Sequence, residues 1–213
     1  MALTIHMMTP TLAQGDAIGN YIQSLARLLG SWGCEVRLYA DILNPRFPLK
    51  HDHTSSYVPT GDDILWMHYS IASPNLALLH TSPDYIVLDM HHVCPPHLFH
   101  GYDAYLEHLC AEGMRQMGDF VEHVDLAIAH TEYVRGELLA LGYRIVRVLP
   151  LIVDTDRFSG AGDPAWEAPL SQLEYLLFVG RIVPQKGLHL ALDIFAEVAR
   201  QRPQAAFLLA GGR

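Results

Sequence analysis

The most informative stretch of the chain is FVGRIVPQKGLHLALDIFAEVARQ, residues Phe178–Gln201. An apolar run, Tyr175–Val179, stops at Gly180, and the cations Arg181 and Lys186 follow before an amphipathic run begins. This order predicts a strand, a tight turn, a basic loop and a helix.

The basic loop stands where the predicted helix begins, and such a place suits an anion. The first turn of a helix leaves backbone N–H groups unpaired and carries a partial positive charge. Arg181 and Lys186 beside it would therefore form a site for a diphosphate. Lys50 is the only other lysine, although Lys and Arg together number 14. The alternative interpretation is a solvated turn with ordinary surface charges.

The whole string resembles the entry to the C-terminal domain of family 4 (group 1) glycosyltransferases, which have the GT-B fold. The resemblance rests on Gly-Arg at 180–181, on Pro-Gln-Lys-Gly at 184–187 and on the apolar helix pattern that follows. It implies that Arg181 and Lys186 contact the diphosphate of a nucleotide-sugar donor and stabilise the charge that develops as the sugar–phosphate bond breaks. It also implies a retaining reaction that needs no metal or other cofactor.

Composition narrows the class of protein. Half of the 213 residues are apolar, enough for a sizeable core, and the net charge of −9 argues against a nucleic-acid partner. Cys34, Cys94 and Cys110 are an odd number of thiols, which is typical of a reducing, cytoplasmic location. No segment has the pattern of a signal peptide or a membrane span, while peripheral membrane contact stays open.

Apolar runs alternate with helical patterns, which predicts an α/β fold built on a Rossmann-like, doubly wound parallel sheet. The predicted strands of its first domain are residues 3–8, 35–40, 63–69, 85–90, 124–129 and 144–149. The predicted helices are residues 18–32, 74–80, 104–122 and 132–141, and residues 43–61 and 91–103 are predicted to be irregular.

Three regions are predicted: a first domain over residues 1–158, a linker over residues 159–170, and the first strand–helix–strand of a second Rossmann-like domain over residues 171–213. The resemblance implies that the first is the acceptor-side, N-terminal domain and that the second begins the nucleotide-sugar-binding, C-terminal domain. A unit of about forty residues can hardly bury its own faces. We therefore expect an incomplete chain that is inactive alone, because the family's later pair of glutamates would fall after residue 213. The alternative is that the last segment packs onto the first domain.

The loop before the first helix is a candidate donor or acceptor loop. It contains Gly15, Asp16 and Gly19, and glycines there let the backbone approach a ligand at the helix N-terminus. The family usually has a Gly-Gly pair where this chain has Gly15-Asp16. The alternative role for Asp16 is to cap the helix.

The stretch LDMHHVCPPHLFHGYD, residues 88–103, resembles a subgroup of the same family in which Tyr-His-Asn-Ile-Thr-Pro follows the fourth strand. By position His91 matches the histidine of that motif, and His92 replaces the asparagine. The resemblance implies that His91 is the catalytic-site histidine, close to the transferred sugar. Its place at a strand end agrees with this, since strand ends face the ligand crevice of a doubly wound sheet and an imidazole there can hydrogen-bond a hydroxyl. His92 is a possible sugar contact. The alternative for His91 is a structural role in the loop.

Two further strand ends carry polar residues. His68, in His-Tyr-Ser at 68–70, also matches the subgroup and is a possible sugar or acceptor contact. Thr131 follows the strand predicted at 124–129, where the family commonly has a serine, and could contact a ligand or cap the next helix.

A metal site is disfavoured by the sequence. The loop set His91, His92, Cys94, His97 and His100 lies within ten residues, but the chain has no His-Glu-x-x-His or Cys-x-x-Cys spacing. We predict no metal and no cofactor, since the nucleotide-sugar is a substrate.

The leading hypothesis is a glycosyltransferase that moves a sugar from a nucleotide-sugar to a hydroxyl of a sugar, a lipid-linked or a polysaccharide acceptor. One alternative is a non-catalytic module that binds sugar or acceptor. A less favoured alternative is a Rossmann-type oxidoreductase with Asp41 on the ribose, although Gly15 and Gly19 do not complete Gly-x-Gly-x-x-Gly.

Overall fold

The protein is described by a computed structural model that covers residues 2–13, 15–153 and 155–212. The chain forms two compact units. The first consists of Met1–Pro96 with Tyr105–Asp154, and the second consists of His97–Ala104 with Thr155–Arg213. The predicted limits of the domains and linker stay predictions.

The first unit is built on a seven-stranded parallel sheet with the order β3-β2-β1-β4-β5-β6-β7. Its strands are β1 (Thr4–Thr11), β2 (Glu35–Ile42), β3 (Asp52–His53), β4 (Ile64–Tyr69), β5 (Tyr85–Met90), β6 (Leu126–Ala129) and β7 (Val146–Val148). The reversal of strand order beside β1 and β4 is the signature of a doubly wound sheet, and the predicted fold class is confirmed.

Helices connect these strands. They are α1 (Ala17–Ser31), α2 (Leu78–Thr81), α3 (Ala104–Gln116) and α4 (Glu132–Leu141). Short 3-10 turns lie at Thr54–Ser56, Pro74–Ala77 and Pro96–Phe99. In the described part of the chain, none of the helices is both long and apolar enough to cross a membrane.

Burial explains why these segments take these forms. Strand β5, which lies between β4 and β6, is buried from Ile86 to Met90, as expected for a parallel strand covered on both faces. Helix α1 presents Ile22, Leu25 and Leu29 at helical spacing, and all three pack into the core against β1 and β2. Full burial of one such side chain contributes about 1.5–3 kcal/mol.

Two elements of the first unit differ from the sequence prediction. Residues 43–61, predicted to be irregular, contain β3, whose Asp52 and His53 pair with β2. The helix predicted over 104–122 ends at Gln116, because residues 117–123 turn instead of continuing the helix. Gly118 lies in that turn, and glycine is a weak helix former.

The second unit pairs β8 (Tyr175–Val179) with β9 (Ala206–Ala210) in parallel, joined by α6 (Leu188–Gln201). The strand–helix–strand order is as predicted. Helix α5 (Pro164–Leu170) occupies the segment predicted to be an irregular linker. It forms because the side chain of Asp163 accepts a hydrogen bond from the Ala165 amide at 2.9 Å and proline is tolerated in the first turn.

Candidate functional site

Three neighbouring strands of the first unit lead to histidines at one edge of the sheet. His68 is the penultimate residue of β4, His91 follows β5, and His130 follows β6. Because β4, β5 and β6 are adjacent and parallel, their carboxyl ends meet. In doubly wound sheets this is the edge at which ligands bind.

A buried carboxylate lies at the centre of these histidines. We use the name histidine cluster for the set His68, Asp89, His91 and His130. Oδ2 of Asp89 accepts hydrogen bonds from Tyr21 Oη at 3.2 Å and from Trp66 Nε1 at 2.9 Å. Oδ1 lies 3.0 Å from Nε2 of His130. The Asp89 side chain is fully buried, so these partners offset the cost of removing its charge from water.

The imidazoles form a chain of close contacts. Nδ1 of His68 lies 3.0 Å from Nε2 of His91, and Nδ1 of His91 lies 3.2 Å from Nε2 of His130. Nδ1 of His130 lies 2.8 Å from the carbonyl oxygen of Leu149 and must donate a proton to it. The side chains of His68 and His91 are 0% and 3% exposed, so the chain is enclosed by protein.

Burial and Asp89 together set the charges of the cluster. Burial lowers the pKa of His68 to about 3 and that of His91 to about 4, despite the opposing attraction of Asp89, so both imidazoles are neutral near pH 7. Burial also lowers the pKa of His130, but the hydrogen bond and attraction of Asp89 outweigh it and leave that pKa raised. Burial raises the pKa of Asp89, and the histidines outweigh this effect and lower it to about 2.

His68 and His91, which both match the subgroup, therefore lie next to each other, and both rings are buried inside the first unit. Both ring nitrogens of His91 are directed at His68 and His130. Its role next to a transferred sugar stays a prediction. His92 lies outside the cluster: its backbone has a φ of 65°, and its exposed ring lies 3.6 Å from the carboxylate of Glu137.

Thr131 caps a helix. Its Oγ1 accepts a hydrogen bond from the amide of Val134 at 3.2 Å, at the N-terminus of α4. This is the capping role that the sequence left open, and a ligand contact stays a prediction.

The residues of the predicted glycine loop have structural tasks. Asp16 caps α1 and accepts hydrogen bonds from the amides of Ile18 and Gly19 at 3.2 and 3.3 Å. Gly15 has a left-handed backbone with a φ of 79°. A Cβ at Gly19 would lie 2.4 Å from the carbonyl oxygen of Ala13, so only glycine fits there.

The basic loop of the second unit has the predicted order of strand, loop and helix. Gly187 takes a left-handed φ of 63°, and Ala191 donates the first i→i−4 hydrogen bond of α6 to it at 3.1 Å. The amides before Ala191 therefore belong to the open helix end. The stem of Lys186 lies beside Gly180, where an added Cβ would come 3.9 Å from its Cγ and Cδ.

The structure gathers a different set of metal-ligating residues from the loop set considered in the sequence. Among the described residues, ligand atoms of His68, Asp89 and His91 all lie within 4.8 Å of one another.

Asp41 gives no support to the oxidoreductase alternative. One of its carboxylate oxygens accepts a hydrogen bond from the amide of Asn75 at 3.4 Å.

Sequence reasoning missed Asp89 and the participation of His130, Tyr21 and Trp66. One signal was present: Asp89 is an acid inside an otherwise apolar buried strand, two residues before His91 and therefore on the same face. The contacts of Asp89 with Tyr21 and His130 join residues 68 and 41 positions away and carry no local signal.

No family model and no curated protein matches this sequence. Solved structures match nearly the whole chain. Sucrose-phosphate synthase from Thermosynechococcus elongatus matches with a TM-score of 0.68 at 14% identity, covering 97% of this chain and 62% of that protein. A glycosyltransferase from Rickettsia africae ESF-5 gives 0.59 at 12% identity, covering 98% of this chain and 68% of that protein.

A third match is an alpha-glucosyltransferase solved with UDP-glucose and DNA containing an abasic site. Its TM-score is 0.57 at 17% identity, covering 99% of this chain and 57% of that protein. These likenesses show that the chain has a GT-B-like glycosyltransferase fold. Across the three matches the chain spans between 57% and 68% of the other protein.

Proposed function

We propose that the protein is part of a family 4-like, retaining glycosyltransferase that moves a hexose from a nucleotide-sugar to an acceptor hydroxyl. The first unit supplies the acceptor side, and the second unit supplies the beginning of the donor side. Arg181 and Lys186 neutralise the departing diphosphate, and the open end of α6 adds its amides and partial positive charge.

The observation that carries this proposal is the basic loop between β8 and α6. It places two cations next to an uncapped helix N-terminus in a chain with the fold of glycosyltransferases. In the described part of the chain no side chain caps this helix end, so its amides are available for an anion. The structure solved with UDP-glucose supports a nucleotide-sugar as the donor.

The same proposal covers acceptor, location and completeness. A sugar, a lipid-linked carrier or a polysaccharide fits a chain with a net charge of −9 better than nucleic acid does. Three free cysteines fit the cytoplasm, with membrane contact at most peripheral. The longer proteins that share the fold support a donor site completed outside the 213 residues. No metal takes part in the transfer step, because the cations of the loop provide the charge.

One observation favours the second candidate, a non-catalytic module that binds sugar or acceptor. The imidazole of His91 is engaged within the histidine cluster and is 3% exposed. A module of this kind would bind acceptor sugars but no donor.

The test is calorimetric titration of UDP- and GDP-sugars, combined with a product assay, on the 213 residues and on the longest form that the gene encodes. We expect donor binding and transfer by the longest form, with NMR showing the donor's anomeric configuration in the product. Turnover by the 213 residues alone would contradict the incomplete donor site. Acceptor binding without donor binding in the longest form would establish the second candidate.

A further inference from the structure

The histidine cluster contains side chains of the kind that bind metal ions. Nδ1 of His68, Nε2 of His91 and the carboxylate of Asp89 point at one another inside the first unit, and His68 and Asp89 are fully buried. Two imidazole nitrogens and a carboxylate are ligands that zinc and other divalent transition metals prefer.

The spacing fits a tetrahedral ion. Ligands at about 2.0 Å from a tetrahedral zinc lie roughly 3.3 Å from one another. In this site Nδ1 of His68 is 3.0 Å from Nε2 of His91 and 3.5 Å from Oδ2 of Asp89. Nε2 of His91 is 3.9 Å from Oδ1 of Asp89. The two contacts of His68 bracket the expected edge. The contact of His91 is to the other carboxylate oxygen, so one oxygen reaches both imidazoles only after the Asp89 carboxylate or the His91 ring rotates.

Outer contacts surround these ligands. Nδ1 of His130 donates to the Leu149 carbonyl, and Nε2 of His130 lies 3.0 Å from Oδ1 of Asp89 and 3.2 Å from Nδ1 of His91. His130 therefore contacts both the carboxylate and the second ring nitrogen of His91. A metal-ligating histidine usually has an outer partner at its second nitrogen.

The carboxylate is oriented in the same way. Tyr21 Oη and Trp66 Nε1 both donate to Oδ2 of Asp89 at 3.2 and 2.9 Å. These hydrogen bonds fix the position of the Asp89 side chain. Hydrogen-bond partners of this kind hold the ligands of a metal site in their geometry. A divalent cation would offset the buried negative charge of Asp89 more completely than neutral imidazoles can.

We propose that His68, Asp89 and His91 bind one divalent transition-metal ion, with zinc as the best match and His130 as the outer partner that orients His91. Three protein ligands leave a fourth position for water or another small ligand, as in open zinc sites. The ligand residues differ from those of the basic loop, so this proposal stands whether or not the protein transfers sugar.

The experiment measures metal content and spectroscopy on the full chain. The protein is stripped with a chelator, dialysed against limiting Zn²⁺ and analysed by elemental mass spectrometry, where we expect about one ion per chain. In parallel, Co²⁺ is added to the stripped protein. We expect visible bands typical of tetrahedral cobalt, which Zn²⁺ then removes. Titrations with Fe²⁺ and Mg²⁺ test the choice of ion, with Mg²⁺ expected to bind far more weakly because it prefers oxygen ligands.

Four variants locate the site. We expect His68→Gln and His91→Gln to weaken Zn²⁺ binding by more than the roughly 10–100-fold that losing an outer partner costs, and His130→Gln to weaken it by that amount. His92→Asn is the matched control, because His92 is adjacent but its exposed ring lies outside the cluster. We expect its affinity to equal that of the wild type.

Two results would overturn the proposal. One is a wild-type protein that holds no stoichiometric Zn²⁺ and gives no tetrahedral cobalt spectrum. The other is folded His68→Gln and His91→Gln proteins that keep wild-type affinity, which would assign the ion to surface histidines. If those variants do not fold, the wild-type cobalt spectrum and its displacement by Zn²⁺ decide the question.

Discussion

At the scale of single residues, the predicted site residues of the first unit contact other groups of the protein. Asp16 and Thr131 cap helices, and His68 and His91 contact each other. Position 19 needs glycine because of a close backbone neighbour. Each of these residues therefore has a structural role in the first unit, and the functional roles expected from the sequence stay predictions.

Gly19 gives a direct test of this interpretation. We expect Gly19→Ala to lower the free energy of unfolding by about 1–3 kcal/mol, because the new methyl group would overlap the Ala13 carbonyl oxygen. Gly30→Ala in the same helix is the control, since an added Cβ there meets nothing within 4 Å. It should raise stability by up to about 1 kcal/mol. Urea denaturation followed by circular dichroism measures both, and equal effects would contradict the close approach.

At the scale of elements, side-chain caps mark where two helices of the first unit begin. Helices α1 and α4 begin just after β1 and β6, and each begins with a side-chain cap. A cap satisfies amides that would otherwise be left without partners.

Asp16 is expected to act through its cap on α1. Asp16→Ala should lower the free energy of unfolding by about 1 kcal/mol, whereas Asp16→Asn should keep most of it because the amide oxygen still accepts from Ile18 and Gly19. Thermal denaturation gives the stabilities, and calorimetry gives the donor affinities. A fall in donor affinity in the stable Asp16→Asn protein would instead give Asp16 a role in binding.

Thr131 allows the same separation at α4. We expect Thr131→Ala to cost about 1 kcal/mol of stability, while Thr131→Ser keeps the hydroxyl that accepts from Val134. The Michaelis constants for donor and acceptor should not change in either variant. A raised constant for Thr131→Ser, whose cap is intact, would show that the threonine methyl group contacts substrate.

Elements were predictable where a burial pattern extends over several residues. The run in β5 and the helical spacing in α1 each cover more than one repeat, so both appear in the sequence. Strand β3 was missed because its two residues, Asp52 and His53, are polar and exposed. Helix α5 was missed because Pro164 and Pro169 look like helix breakers, although Pro164 occupies the first turn, where proline is tolerated.

At the scale of the whole molecule, the parallel sheet explains why distant segments build one cluster. Residues 68, 89 and 130 are far apart in sequence, but the order β4-β5-β6 brings their strand ends together. A sequence pattern can indicate three separate strand ends. It cannot indicate which two are neighbours, because that depends on the crossover connections and not on local composition.

The second unit leaves apolar side chains of its strand β8 and of its helix α6 exposed. Leu177 and Val179 of β8 are 55% and 72% exposed, and Leu190 and Ile194 of α6 are also exposed. Apolar faces of this kind usually pack against another layer. This agrees with the proposal that further residues complete the donor side.

The most direct test of the account is donor affinity after removal of the two loop cations. In the longest form that the gene encodes, Arg181→Gln with Lys186→Gln should weaken binding of the preferred nucleotide-sugar by at least about 100-fold, since each charge-assisted contact contributes roughly 1.5–3 kcal/mol. Arg200→Gln is the control, because Arg200 is an exposed cation of the same unit paired with Glu197. Isothermal titration showing wild-type affinity in a folded double variant would contradict the account.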